Sequence, residues 1–211
     1  MSEELDFRQY APATDRNREP ILQVLQQVLP PTGCVLEMAS GTGQHAIYFA
    51  PQLHPRRWLP SDPNPIARDS IAAWSSACPI ENLLPPLDLD AASPDWPNQA
   101  QTVAADITAI VNINMIHISP WSSCLGLMAG AGQILPKGGI LYLYGPYRRQ
   151  GHPTAPSNEA FDRQLRSQNP EWGLRLLEDV VAAAVQQSLA LKAVIEMPAN
   201  NLSVVFEYSD V

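Results

Sequence analysis

Two hydrophobic periods alternate along the chain, and their order predicts its architecture. Ile21, Leu22, Val24, Leu25 and Val28 recur at helical spacing after Pro20, a residue suited to opening a helix, and the pattern stops before Pro30-Pro31. Residues 34–37 then read as a short buried strand. A glycine turn follows, and Ile47, Tyr48 and Phe49 belong to a helical stretch that ends near Pro51. Residues 57–62 read as a second strand, 66–77 as a helix, 83–89 as a weak third strand broken by Pro85-Pro86, and 106–114 as a fourth. That fourth segment is apolar and β-branched, as a strand buried on both faces should be. Residues 125–135, rich in Gly and Ala, predict a tightly packed helix, and 140–144 a fifth strand. A Pro- and Gly-rich loop over 145–158 precedes helices over 159–165 and 176–189. Residues 191–197 and 202–208, around Pro198-Ala199-Asn200-Asn201, read as an antiparallel hairpin.

This β–α alternation predicts an α/β, doubly wound domain: a seven-stranded, mostly parallel sheet with helices on both faces and a C-terminal antiparallel hairpin. No repeat or linker divides the chain, so residues 1–211 read as a single domain. Residues 1–20 read as an N-terminal arm, either a lid over a site or a surface arm capping the first helix.

In such sheets ligands lie at the carboxyl ends of the strands. Those ends carry Glu37, Asp62, Asp88, Asn114 and Tyr144 with Gly145. The stretch Val35 to Ala46 is the most informative, because a strand, a small-residue turn (Ala39, Ser40, Gly41, Gly43) and a helix N-terminus make a nucleotide-binding loop. Glu37 before the turn can accept hydrogen bonds from both ribose hydroxyls and would repel a pyrophosphate. Asp62 lies about twenty residues further on, where an acidic side chain meets ribose; the alternative is a turn aspartate beside Pro63. Asp88 can accept from an adenine amino group with Leu89 packed on the ring, or is a solvated loop charge.

Composition narrows the classes. The chain has 211 residues, 45% of them hydrophobic, and a net charge of −8. Lys137 and Lys192 are the only lysines and the arginines are scattered, which argues against a nucleic-acid partner. No apolar window is long enough to cross a bilayer, and the polar, acidic residues 1–6 do not read as a secretion signal. Cys34, Cys78 and Cys124 are odd in number and far apart, which suggests reduced, buried thiols in a cytoplasmic protein and no disulfide or metal site. Oligomeric state is not legible.

With Glu37, the glycine turn, Asp62 and Asp88 on successive strand ends, the chain resembles the class I S-adenosylmethionine-dependent methyltransferases, a Rossmann-like fold. The family's Glu-x-Gly-x-Gly-x-Gly loop is matched by Glu37 to Gly43, with Ala39 in place of the first glycine. The resemblance covers roughly residues 21 to 208. It implies S-adenosyl-L-methionine as cofactor, with Glu37 near its methionyl or ribose side, Asp62 on the ribose hydroxyls, and Asp88 and Leu89 at the adenine. Asn114-Met115-Ile116-His117-Ile118-Ser119-Pro120-Trp121, Thr154-Ala155-Pro156-Ser157-Asn158 and Met197-Pro198-Ala199-Asn200-Asn201-Leu202 look like a small family of uncharacterised methyltransferase-like proteins.

Acceptor candidates gather near the later strand ends. His117 reads as a general base or as a histidine that orders the following turn. Trp121, Tyr144 and Tyr147 read as an aromatic wall or as packing. Arg148 and Arg149 read as an anion site or as solvated charges. Asn158, Asn200 and Asn201 either converge on the cleft or serve turns, and Tyr10, Arg16 and Asn17 belong to the arm. The expectation is direct methyl transfer to a small-molecule acceptor at oxygen, nitrogen or sulfur. Two alternatives stay open: a non-catalytic binding protein of the same fold, and an NAD-dependent oxidoreductase suggested by Gly41-x-Gly43-x-x-Ala46.

Overall fold

The computed structural model describes residues 6–209, so of the acidic stretch over 1–6 only Asp6 lies within it. The first element is α1 (Pro12–Val28), which begins well before the expected start because Pro12 occupies its first turn and Pro20 lies inside it. Residues 12–20 are therefore helix rather than arm. Residues 6–11 are a short strap fixed by three bonds: Gln9 N–H to Ser70 Oγ (2.8 Å), Ala11 N–H to Gln44 Oε1 (2.6 Å), and Trp74 Nε1 to the Gln9 carbonyl (3.2 Å).

Next come β1 (Cys34–Met38), α2 (Gln44–Gln52), β2 (Arg57–Ser61) and α3 (Pro65–Ala77). Asn64 caps α3 by accepting from the Ile66 N–H. The chain continues through α4 (Trp96–Val103), β3 (Ile107–Ile113), α5 (Trp121–Ile134), β4 (Ile140–Gly145), α6 (Pro156–Gln168) and α7 (Leu177–Val185). It closes with β5 (Leu189–Met197), a 3-10 turn over Pro198–Asn200, and β6 (Asn201–Tyr208).

The strand order is β2-β1-β3-β4-β6-β5, a six-stranded sheet rather than the expected seven. Residues 83–89 make only isolated bridges, Leu83 to Trp58 and Leu87 to Ser61, because Pro85 and Pro86 have no N–H to extend a ladder. β1 to β4 are mutually parallel, and β6 runs antiparallel between β4 and β5. Hydrophobic residues pack on both faces. α4, α5 and α7 cover one around Trp96, Leu127 and Phe206, and α1 and α2 cover the other around Leu25, Phe49 and Trp58. Cys34 and Cys124 lie in the core, whereas Cys78, expected to be buried, is exposed just after α3. No helix among the described residues is long and apolar enough to cross a membrane.

Candidate active-site cleft

The carboxyl ends of β1 to β3 open into a cleft of about 540 Å³. Its floor is the turn between β1 and α2. Three residues there take positive φ: Ala39 (60°), Gly41 (55°) and Gly43 (83°). Only glycine does so freely, so Ala39 holds a strained backbone where the family loop has its first glycine. A Cβ on Gly43 would lie 2.9 Å from Ile71 Cγ1 and 3.0 Å from Ile71 Cα, so α3 packs directly on the turn; beside Gly41 there is open space. The turn is tied to β2 by the Ser40 N–H to the Ser61 carbonyl (2.8 Å) and the Ser61 N–H to Ser40 Oγ (3.1 Å).

Glu37 and Asp62 both line this cleft. Glu37 is 1% exposed and takes one hydrogen bond from the Trp58 indole N–H. Burial, and to a smaller extent the like charge of Asp62, lifts its pKa to about 7. Asp62 accepts from the Gly41 N–H through Oδ2 and from the Asn64 N–H through Oδ1, both at 2.9 Å. It thus performs the turn-holding role, and each oxygen keeps a lone pair for a ligand. Leu89 is buried in the wall. Asp88 is not in the lining: it is exposed and pairs with Arg68 at 3.0 Å on the outer side of the loop, while Asp90 faces the cleft. Asn114, at φ 60°, closes the end of β3.

The fourth wall is the start of α1, with Ala13, Thr14 and Asn17. Asn17 Oδ1 lies 2.9 Å from His45 Nε2, pinning α1 to α2. Burial holds His45 neutral, with its pKa near 4. This wall is the N-terminal part of α1, continuous with the rest of that helix. Tyr10 lies outside the cleft, edge-on to Trp74.

A second chamber of about 700 Å³ adjoins the first and shares Ala13, Asn17, Asn114 and Ile118 with it. It gathers Arg16, His117, Tyr144, Asn158, Asn200 and Asn201. His117 is 5% exposed, edge-on to Phe161, and kept neutral by burial with a pKa near 4. Gly145 permits its approach, since a Cβ there would stand 3.1 Å from His117 Cε1. Asn158 Nδ2 donates to the Asn200 carbonyl at 3.0 Å, joining α6 to the hairpin turn. Four residues expected at the acceptor lie elsewhere. Trp121 packs against the core beneath Arg175, whose guanidinium is 5.7 Å from its ring centre. Tyr147 is buried beside a smaller pocket of about 100 Å³. Arg148 is occupied by Glu159 and Asp162, and Arg149 by Glu196.

His45, Asp90 and Phe161 were not singled out by the sequence. His45 had one available signal, a polar ring in the first turn of the helix after the glycine turn. Asp90 differs from Asp88 only by a loop direction that no periodicity encodes.

The family model described as protein of unknown function (DUF938) matches residues 8–208. Among solved structures, an O-methyltransferase family protein from Burkholderia thailandensis superposes with a TM-score of 0.75 at 14% identity, over 94% of this chain and 58% of that one. Human N-acetylserotonin methyltransferase, in complex with SAM, gives 0.74 at 10% identity over 94% and 53%. An O-methyltransferase family 2 protein from Planctomyces limnophilus, in complex with apigenin, gives 0.68 at 20% identity over 90% and 61%. These likenesses show an α/β methyltransferase fold, and the chain spans little more than half the length of each of the three.

Proposed function

The chain belongs to the family described as protein of unknown function (DUF938), and we propose that it is an S-adenosylmethionine-dependent methyltransferase that acts on a small molecule by direct methyl transfer. The observation that carries this is the cleft at the ends of β1 to β3, floored by a turn with three positive-φ residues and walled by two buried carboxyl side chains. A small-molecule site usually encloses about 300–1,000 Å³, and this one fits that range. Its lining suits a nucleoside: Glu37 and Asp62 to accept from ribose hydroxyls, Leu89 to pack on the base, and Asp90 in the place first expected of Asp88.

When bound, S-adenosylmethionine supplies a sulfonium methyl group already activated for transfer. The chain's share of the work is to position and to exclude water. Asn114 and Asn17 stand where the two chambers meet, between nucleoside and acceptor. His117, kept neutral by burial, faces the acceptor chamber and offers its ring to the acceptor for hydrogen bonding.

Isothermal titration calorimetry with S-adenosylmethionine, S-adenosylhomocysteine and NADH tests the cofactor. Micromolar binding of the adenosyl ligands without NADH is expected, and failure of both adenosyl ligands overturns the proposal. Turnover across a metabolite panel then separates an enzyme from a non-catalytic binder.

A further inference from the structure

The two chambers differ in charge. Glu37, Asp62 and Asp90 line the first. Among the described residues the second has no Asp or Glu in its lining, although the chain carries a net charge of −8. Its one cation is Arg16, which forms no salt bridge among the described residues, whereas its neighbour Arg18 is paired with Asp15 at 3.0 Å.

The N-terminus of α6 opens into the same chamber through Ser157 and Asn158. Ala155, its N-cap, gives no side-chain bond, and no described group accepts from the Ser157 or Asn158 N–H. The helix has 13 residues, enough for its dipole to favour negative charge at that end. A separate observation concerns His117. It lines the chamber, is 5% exposed, and its ring has no hydrogen-bond partner among the described residues. A polar ring without a protein partner takes its hydrogen bond from whatever fills the chamber, solvent or ligand.

Taking the methyltransferase reading as its premise, we propose that the second chamber selects an acceptor bearing a carboxylate or phosphate group, held by Arg16 and the first N–H groups of α6. His117 hydrogen-bonds the same molecule, and Tyr144 and Phe161 flank its body. The anionic group then sits in the chamber without acidic lining rather than in the one lined by Glu37, Asp62 and Asp90, so like charges are kept apart.

Ligand-observed NMR with four probes tests this: 4-hydroxybenzoate, phenyl phosphate, 4-hydroxybenzamide and tyramine, each with and without S-adenosylhomocysteine. One or both anions are expected to bind about tenfold tighter than the amide, the gain of a hydrogen-bonded charge pair, with tyramine weakest. Arg16→Gln removes that preference, while Arg163→Gln, a neutralised arginine on the exposed side of α6, retains it. The first two probes distinguish carboxylate from phosphate. Equal binding of anion and amide, an anion preference that survives Arg16→Gln, or binding of none of the four overturns the proposal. Anion preference in a protein that fails to bind S-adenosylhomocysteine overturns the methyltransferase reading instead and leaves the anion site standing.

Discussion

The Trp58 indole N–H donates to Glu37 Oε2 at 3.0 Å across the β1–β2 ladder, in which Trp58 faces Val35 and Glu37 faces Pro60. One neutral donor does not repay the burial of a carboxylate, so the Glu37 pKa rises from 4.5 to about 7. Because the folded value lies above the unfolded one, the contribution to stability is full below pH 4.5 and is lost as pH rises through 7. Glu37→Gln keeps an oxygen for Trp58 and removes the charge. It is expected to be more stable than the parent by about 2–3 kcal/mol at pH 8 and equal to it near pH 4.5. Urea denaturation at the two pH values checks this; the same difference at both would refute it.

The same titration governs the ligand. Ribose hydroxyls donate, so they favour the ionised carboxylate. Affinity for S-adenosylhomocysteine should rise about tenfold per unit between pH 5 and 7 and level off above. Calorimetry across that range, repeated on Glu37→Gln, should give a sloping profile for the parent and a flat one for the variant.

Strain in the turn makes a third prediction. Ala39→Gly relieves a left-handed alanine and should stabilise by about 0.5–1 kcal/mol. Gly43→Ala meets Ile71 and adds strain, so it should destabilise by about 2 kcal/mol or more. Chemical denaturation of both variants should therefore show opposite signs, and a shared sign would contradict the geometry.

The histidines predict acid sensitivity. His45 and His117 both have pKa values lowered from 6.5 to about 4, so folding excludes protons that the unfolded chain takes up. Their stabilisation is complete above pH 6.5 and is lost as pH falls towards 4. In the Glu37→Gln background, which removes the opposing carboxyl, stability should fall by about 2–3 kcal/mol per unit over that window. His45→Gln and His117→Gln should each halve the slope, measured by denaturation at successive pH values.

Much of the frame was legible. β1, β2, β3 and β4 fall where buried β-branched and aromatic runs placed them, and the Pro198 turn joins the expected hairpin. The glycine turn and Asp62 meet at the cleft, where the Gly41 N–H donates to Asp62. What failed was hidden from periodicity. The first turns of α1 bury Thr14 and Asn17, polar residues that face a cleft rather than a core, so no apolar stripe marks them. α4 has only eight residues and buries just Trp96, Pro97 and Ala100, too few to mark a helical period. Asp88 and Asp90 lie one residue apart in a loop, where only tertiary structure decides which faces inward.

β6 is the last of the six strands along the chain, yet it lies between β4 and β5. During synthesis every other strand emerges before the one that joins them. Until residues 201–208 arrive, β4 presents a bare edge and β5 has nothing to pair with. An unpaired edge of that kind is a template for the wrong partner. The sheet therefore completes in one late, long-range event, and a nascent chain stalled short of β6 is the species most exposed to aggregation.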